Sequence, residues 1–118
     1  MRHRKTTITL DRKKAPREAL LRNMATSLVL YERIETTRAK AKAVAPLVEK
    51  YITVAKKGDL TARRRLIKYF YDTNAVHKLM ESLGKRFTDR KSGYTRITQL
   101  RRRLGDGAEM VMLEILEK

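Results

Sequence analysis

Residues 16–57, PREALLRNMATSLVLYERIETTRAKAKAVAPLVEKYITVAKK, decide the fold. In the first half, Leu21, Met24, Ala25, Leu28 and Val29 recur three and four residues apart, on one face of a helix. In the second half, Ala41, Val44, Ala45, Val48, Ile52 and Ala55 do the same. Between them, Ile34-Glu35-Thr36-Thr37 is too polar for a buried helix and rich in β-formers. The stretch therefore reads as helix, short strand, helix. Arg22, Arg38, Lys40 and Lys42 lie off the apolar faces.

Local signals set the boundaries. Pro16 suits a first helical turn, and Glu18 then sits near the positive end of the dipole. This helix is expected to reach Leu30 or Tyr31, with Arg17, Arg22, Asn23 and Thr26 outward. Glu32 to Thr36 forms the strand, and Thr36 or Thr37 caps the next helix. Pro46 removes one backbone hydrogen bond. Because the apolar period continues to Ala55, a kink is expected rather than a break. Gly58 ends that helix after Lys56 and Lys57.

Working outward, Asp59 can cap a third helix to about Tyr71, with Leu66, Ile67 and Phe70 inward. Its exposed start, Arg63-Arg64-Arg65, opposes the helix dipole, which points to cations serving a partner. Asn74 can cap a fourth helix with Ala75, Val76, Leu79, Met80 and Leu83 inward, and Gly84 reads as its stop. Helical periodicity ends near Phe87, and Thr88 to Gly93 reads as a charged loop. Tyr94 to Leu100 and Met110 to Leu116 read as strands of a hairpin around Gly105-Asp106-Gly107. Val111, Leu113 and Ile115 share one face of the second strand. An isolated hairpin is marginal, so the strand near Ile34 should join it. The expected fold is α+β in two layers, helix–strand–three helices–two strands. Helices cover one face of the small sheet, and Arg and Thr occupy the other. Residues 1–16 read as a basic arm and 17–118 as a single domain. The five methionines, Phe70, Tyr71 and Phe87 read as core.

Charge narrows the function. Against 29 Lys and Arg stand 13 Asp and Glu, a net charge of +16. Such an excess attracts polyanions, nucleic acid first and anionic membrane next. No apolar run is long enough to span a bilayer, and no apolar segment follows the basic start as in a secretory signal. Cysteine is absent, which excludes disulfides, thiolate catalysis and cysteine-based zinc sites. The arm holds too little apolar surface to offset the entropy of its own ordering, so it is a frayed, solvated terminus or, as the net charge favours, an arm that orders on a phosphate backbone.

Catalytic patterns are missing. His3 and His77 have no flanking ligand spacing, and zinc needs three or four ligands. Asp72, Glu81, Asp89, Asp106 and Glu109 show no paired spacing, and acids among so many cations read as ion pairs. Ser27 lacks an elbow motif, and no phosphate-binding glycine loop occurs. The strand aromatics of an RRM and the clamp of a KH domain are absent too, which leaves recognition of backbone and shape. Tyr94 beside Gly93 stacks on an exposed base or anchors the sheet; both readings stand. Asn23 is an ordinary exposed residue or a hydrogen-bonding group for phosphate or ribose.

Seven ordered blocks carry a resemblance. They are Met1-Arg2-His3-Arg4-Lys5; Leu21-Arg22-Asn23-Met24-Ala25-Thr26-Ser27-Leu28; Arg33-Ile34-Glu35-Thr36-Thr37; Lys40-Ala41-Lys42; Ile52 to Leu60; Gly93-Tyr94-Thr95-Arg96-Ile97; and Gly105-Asp106-Gly107-Ala108. In order and spacing the chain resembles the bacterial large-subunit ribosomal protein seventeen family over nearly its whole length. It departs at Thr6 to Thr9, where the family usually has a Gly-Arg pair, and at Pro16, Ser92 and Glu109.

The resemblance implies a structural protein of the cytoplasmic ribosome. It would bind large-subunit ribosomal RNA near the outer mouth of the peptide exit tunnel and touch neighbouring ribosomal proteins. No enzymatic activity, cofactor, metal, membrane or small-molecule substrate is implied. The expected contacts are Arg2, His3, Arg4, Lys5, Arg12, Lys13 and Lys14 in the arm. In the body they are Arg17, Arg22, Asn23, Arg38, Lys40, Lys42, Arg63, Arg64, Tyr94, Arg96, Arg101, Arg102 and Arg103. The alternatives are a nucleoid or transcription-associated DNA binder and an RNA-modifying enzyme, the latter needing a pocket of convergent polar groups.

Overall fold

A computed structural model describes residues 9–117 of the chain. The contacts expected of Arg2, His3, Arg4 and Lys5 lie outside the described residues. The elements run α1 (Lys14–Tyr31), β1 (Arg33–Thr37), α2 (Arg38–Lys56), α3 (Leu60–Tyr69) and α4 (Thr73–Lys78). A π-helical turn (Leu79–Leu83) then leads without a break into α5 (Gly84–Arg86). The strands β2 (Thr95–Arg102) and β3 (Glu109–Ile115) follow. The sheet is antiparallel in the order β1-β3-β2, so the short early strand does join the late hairpin.

The central strand explains the layering. Val111, Leu113 and Ile115 are buried under the helices, while Met110 and Met112 alternate to the opposite face. Ile34 pairs with Leu113 and packs against the same core. Leu28 and Val29 of α1, with Val44, Val48 and Ile52 of α2, fill the space above, each at 0% exposure. α2 meets β2 at its start, where Thr95 donates to Glu49 at 2.7 Å, while Ile97 and Leu100 further along stay 38% and 40% exposed. A bulge between Gln99 and Arg101 shifts the register near the hairpin tip.

Caps refine the boundaries. Thr37 accepts from the Lys40 N–H at 3.5 Å, and Asp59 accepts from the Ala62 N–H at 2.8 Å. The fourth helix is capped by Asp72, which accepts from the Asn74 N–H at 2.8 Å, and not by Asn74 itself. Asp72 stands just before the first helical residue, Thr73, within reach of the first free donors, so it takes the role. Glu32 does not open β1. It ends α1 in a left-handed conformation at φ 64°, its N–H donating to the Leu28 carbonyl. At the other end α1 begins at Lys14, which leaves its first turn without an acid and Glu18 a turn inside. α2 continues as one helix across Pro46.

Four other expectations are corrected. Ile67 is 56% exposed, because Ala62 and Leu66 of α3, with Phe70 just past its end, form the buried side and Ile67 falls beside it. Tyr71 lies past the end of α3 and is 59% exposed. Among the described methionines none is fully buried; Met24 and Met80 flank the core. Gly84 stops nothing. It is helical, and a Cβ there would stand 3.0 Å from the Ala55 carbonyl oxygen. The glycine lets this helix lie against the backbone of α2.

Candidate nucleic-acid interface

Charge is segregated by element. The first three helices carry Lys14, Arg17, Arg22, Arg38, Lys40, Lys42, Lys50, Lys56, Arg63, Arg64, Arg65 and Lys68, against only Glu18 and Glu49. The three strands carry Arg33, Arg96, Arg101 and Arg102 against Glu35, Glu109 and Glu114. The sheet is thus nearly neutral, while the helices hold the excess.

Pairing sharpens the division. Arg96 donates through Nε and Nη2 to Glu114 at 2.9 and 2.8 Å. Arg101 reaches across the sheet to Glu35, and Arg38 and Arg102 meet Glu109 at 3.2 and 3.4 Å. At the hairpin tip Arg103 holds Asp106 with two bonds, at 3.0 and 2.6 Å. That guanidinium, helped by the Ala108 N–H, keeps the Asp106 carboxyl well below the usual carboxylate range. Of the expected contacts, then, Arg38, Arg96, Arg101, Arg102 and Arg103 are already held by carboxylates of this chain. These pairs are solvent-exposed and individually weak, so a phosphate can compete for them.

Arg17, Arg22 and Lys42 converge instead. They line one groove of about 560 Å³ between α1 and α2, together with Glu18, Leu21, Ala43, Pro46, Leu47, Tyr51 and Tyr69. None of the three cations has a carboxylate partner among the described residues. Arg22 lies over the Tyr69 ring at 5.2 Å and near Tyr71 at 5.9 Å, cation–π contacts that hold the guanidinium on the surface. Tyr51 and Tyr69 stack with centroids 4.4 Å apart. Burial is the main cause that pushes the Tyr69 hydroxyl up to about 12, with Tyr51 adding to it and Arg22 opposing. Burial also raises Tyr51. A second hollow shares Arg22, Tyr51 and Tyr69 and adds Arg65 and Lys68. A third, toward the hairpin, is lined by Arg38, Lys42 and Glu109. A basic track thus crosses the helical face from α3 to the start of α2.

Elsewhere the expected residues are dispersed. Arg12 donates to the Leu10 carbonyl at 2.8 Å in the turn before α1, and Lys13 is the residue before the helix. Asn23 is exposed beside a shallow hollow with Met24, Ile34 and Glu35. Arg63 lies 3.4 Å from the His77 Nδ1, and Arg64 is exposed to solvent. Tyr94 takes the second of its two readings. It is 1% exposed, packs on Phe87 at 4.9 Å, and accepts from Lys56 Nζ at 3.0 Å. Its hydroxyl donates toward the Lys91 carbonyl at 2.9 Å. A ring so enclosed presents no face to a base.

Tyr51, Tyr69, Arg65 and Lys68 were not among the expected contacts. A signal for Tyr51 existed: Ala43, Leu47 and Tyr51 form a second stripe, four apart, beside the main core stripe of α2. Nothing local pairs Tyr51 with Tyr69. Among the described residues, no cluster of His, Asp or Glu could hold a metal ion, and no helix is long and apolar enough to cross a membrane.

A family model described as ribosomal protein L17 matches residues 20–116. The large ribosomal subunit protein bL17 of Syntrophotalea carbinolica is 48% identical over 118 residues, covering 100% of this chain and 76% of that protein. The bL17 protein of Desulfotalea psychrophila is 47% identical over 116 residues, 98% of this chain and 90% of its own. That of Hydrogenobaculum sp. is 46% identical over 118 residues, 99% and 100% of the two chains.

Proposed function

This chain belongs to the ribosomal protein L17 family, structural proteins of the large ribosomal subunit, and on that premise we propose that it binds large-subunit ribosomal RNA mainly through phosphate contacts. The observation that carries this is the charge segregation: twelve cations on the first three helices, against Glu18 and Glu49. A protein balanced for its own stability would not concentrate like charges so. Each helical cation set on a phosphate releases condensed counterions, so affinity falls steeply with salt. Residues 1–13, ahead of α1, add cations of the same kind in sequence, and the protein also touches neighbouring ribosomal proteins. The site lies near the outer mouth of the peptide exit tunnel, the position that the family resemblance implies. The protein is a scaffold and carries out no reaction.

Salt-titrated binding tests the reading. Affinity for folded large-subunit ribosomal RNA should exceed that for duplex DNA at matched salt; equal affinities would favour a general DNA binder. Arg17→Gln with Lys42→Gln should lower the log–log salt slope by about 1.5. Arg96→Gln with Arg103→Gln should lower it less, because those guanidiniums leave a carboxylate to reach the RNA. The reverse order would refute the helical track.

A further inference from the structure

We propose that the groove between α1 and α2 receives an unpaired nucleotide of the RNA, its base on the apolar floor and its phosphate on the cationic rim. The inference rests on the RNA-binding reading and adds to it a base contact. Phosphate contacts alone need only exposed cations, yet this groove has more. Leu21, Pro46 and Leu47 line it together with the stacked Tyr51 and Tyr69. Arg17, Arg22 and Lys42 border the same volume, with Glu18 the one acid. Its volume, about 560 Å³, falls in the range of small-molecule sites. An aliphatic side chain of a protein neighbour would fill the floor but leave three cations facing it unpaired. A nucleotide satisfies both parts, because it joins a flat apolar base to an anion.

Pro46 supplies a second, independent feature. It stands inside α2 and has no N–H, so the carbonyl of Lys42, four residues back, lacks its helical donor. Both residues line the groove. A carbonyl without its helical donor is suited to accept an N–H from the edge of a base. Single-stranded loops are where bases are free to be splayed into such a site.

The test compares three probes at matched salt: a short single-stranded oligoribonucleotide, its abasic counterpart with the same number of phosphates, and an RNA duplex. Tyrosine ring and leucine methyl resonances are followed by NMR alongside affinity. The base-bearing single strand should shift Tyr51, Tyr69 and Leu47 and bind roughly tenfold or more tightly than the abasic strand. Leu47→Lys, checked by circular dichroism to be folded, should weaken the base-bearing strand although it adds a cation. Equal affinity for abasic and base-bearing strands, or tighter binding by Leu47→Lys, would overturn the groove assignment while leaving phosphate binding intact. Failure of all three probes to bind with a salt-dependent affinity would overturn both. Tyrosine shifts that appear with no RNA, but only with other large-subunit proteins, would put a protein segment in the groove instead.

Discussion

At the scale of single residues, composition does not tell which cations serve the fold. Glu32 illustrates this. It sits at the junction of α1 and β1 and is held by Arg86 and by Lys78, the latter at 3.0 Å. Lys78 also donates to the Leu30 carbonyl at 2.9 Å, and Arg86 to the Leu116 carbonyl at 3.2 Å. These two cations satisfy carbonyls that the end of α1 and the end of the sheet would leave free. The Arg86 hydrogen bond, then that of Lys78, brings the Glu32 carboxyl below its ordinary value of 4.5, partly opposed by burial. A depressed carboxylate stabilises the fold above its unfolded pKa, and that stabilisation is lost as pH falls through the folded value. Urea denaturation should therefore show stability declining below about pH 4.5. Glu32→Gln should cost about 1–2 kcal/mol at neutral pH and make the acid decline shallower. A variant that keeps the full acid decline would show that other carboxylates govern it.

At the scale of elements, the fourth helical segment is where local signals mislead. Gly84 looks like a stop, but its N–H donates to the Leu79 carbonyl in the π turn and its bare Cα lies against Ala55. In an exposed helix Gly→Ala would stabilise by up to about 1 kcal/mol. Here the added Cβ meets two backbone oxygens at 3.0 Å, and neither can swing aside. Gly84→Ala should instead destabilise by about 1–3 kcal/mol, read as a lower urea midpoint. A higher midpoint would mean that the two helices pack less closely than described. The cap makes a paired prediction. Asp72→Ala should cost about 1 kcal/mol, whereas Asn74→Ala, exposed and with only its backbone N–H engaged, should lie within about 0.5 kcal/mol of wild type. Calorimetry of the two variants separates the roles.

At the scale of the whole molecule, a near-neutral sheet sits beneath a strongly cationic helical layer. Ahead of α1 the sequence adds Arg2, Arg4, Lys5, Arg12 and Lys13. A chain lacking residues 1–12 keeps all of α1, which begins at Lys14. Its circular dichroism should match the full chain, while its salt slope for RNA should fall by about 0.7–0.9 for every phosphate that the arm neutralises. Loss of helical signal would show that the arm is part of the folded body. The apolar spacing in 16–57 was enough to define both long helices, because a buried face must repeat with the helical period. The alternation in Val111, Leu113 and Ile115 likewise identified a strand there, while its central place came from the pairing with β1 and β2. The positive excess by itself suggested a polyanionic partner, the one proposed above. The tertiary structure alone decided which charges are free and which are held by this chain's own carboxylates. It alone joined Tyr51 to Tyr69, withdrew Tyr94 into the core, and set Gly84 against Ala55. The physical reason is range: periodicity and capping act over one or two turns, whereas ion pairs, ring stacks and close helix crossings join residues far apart in the chain.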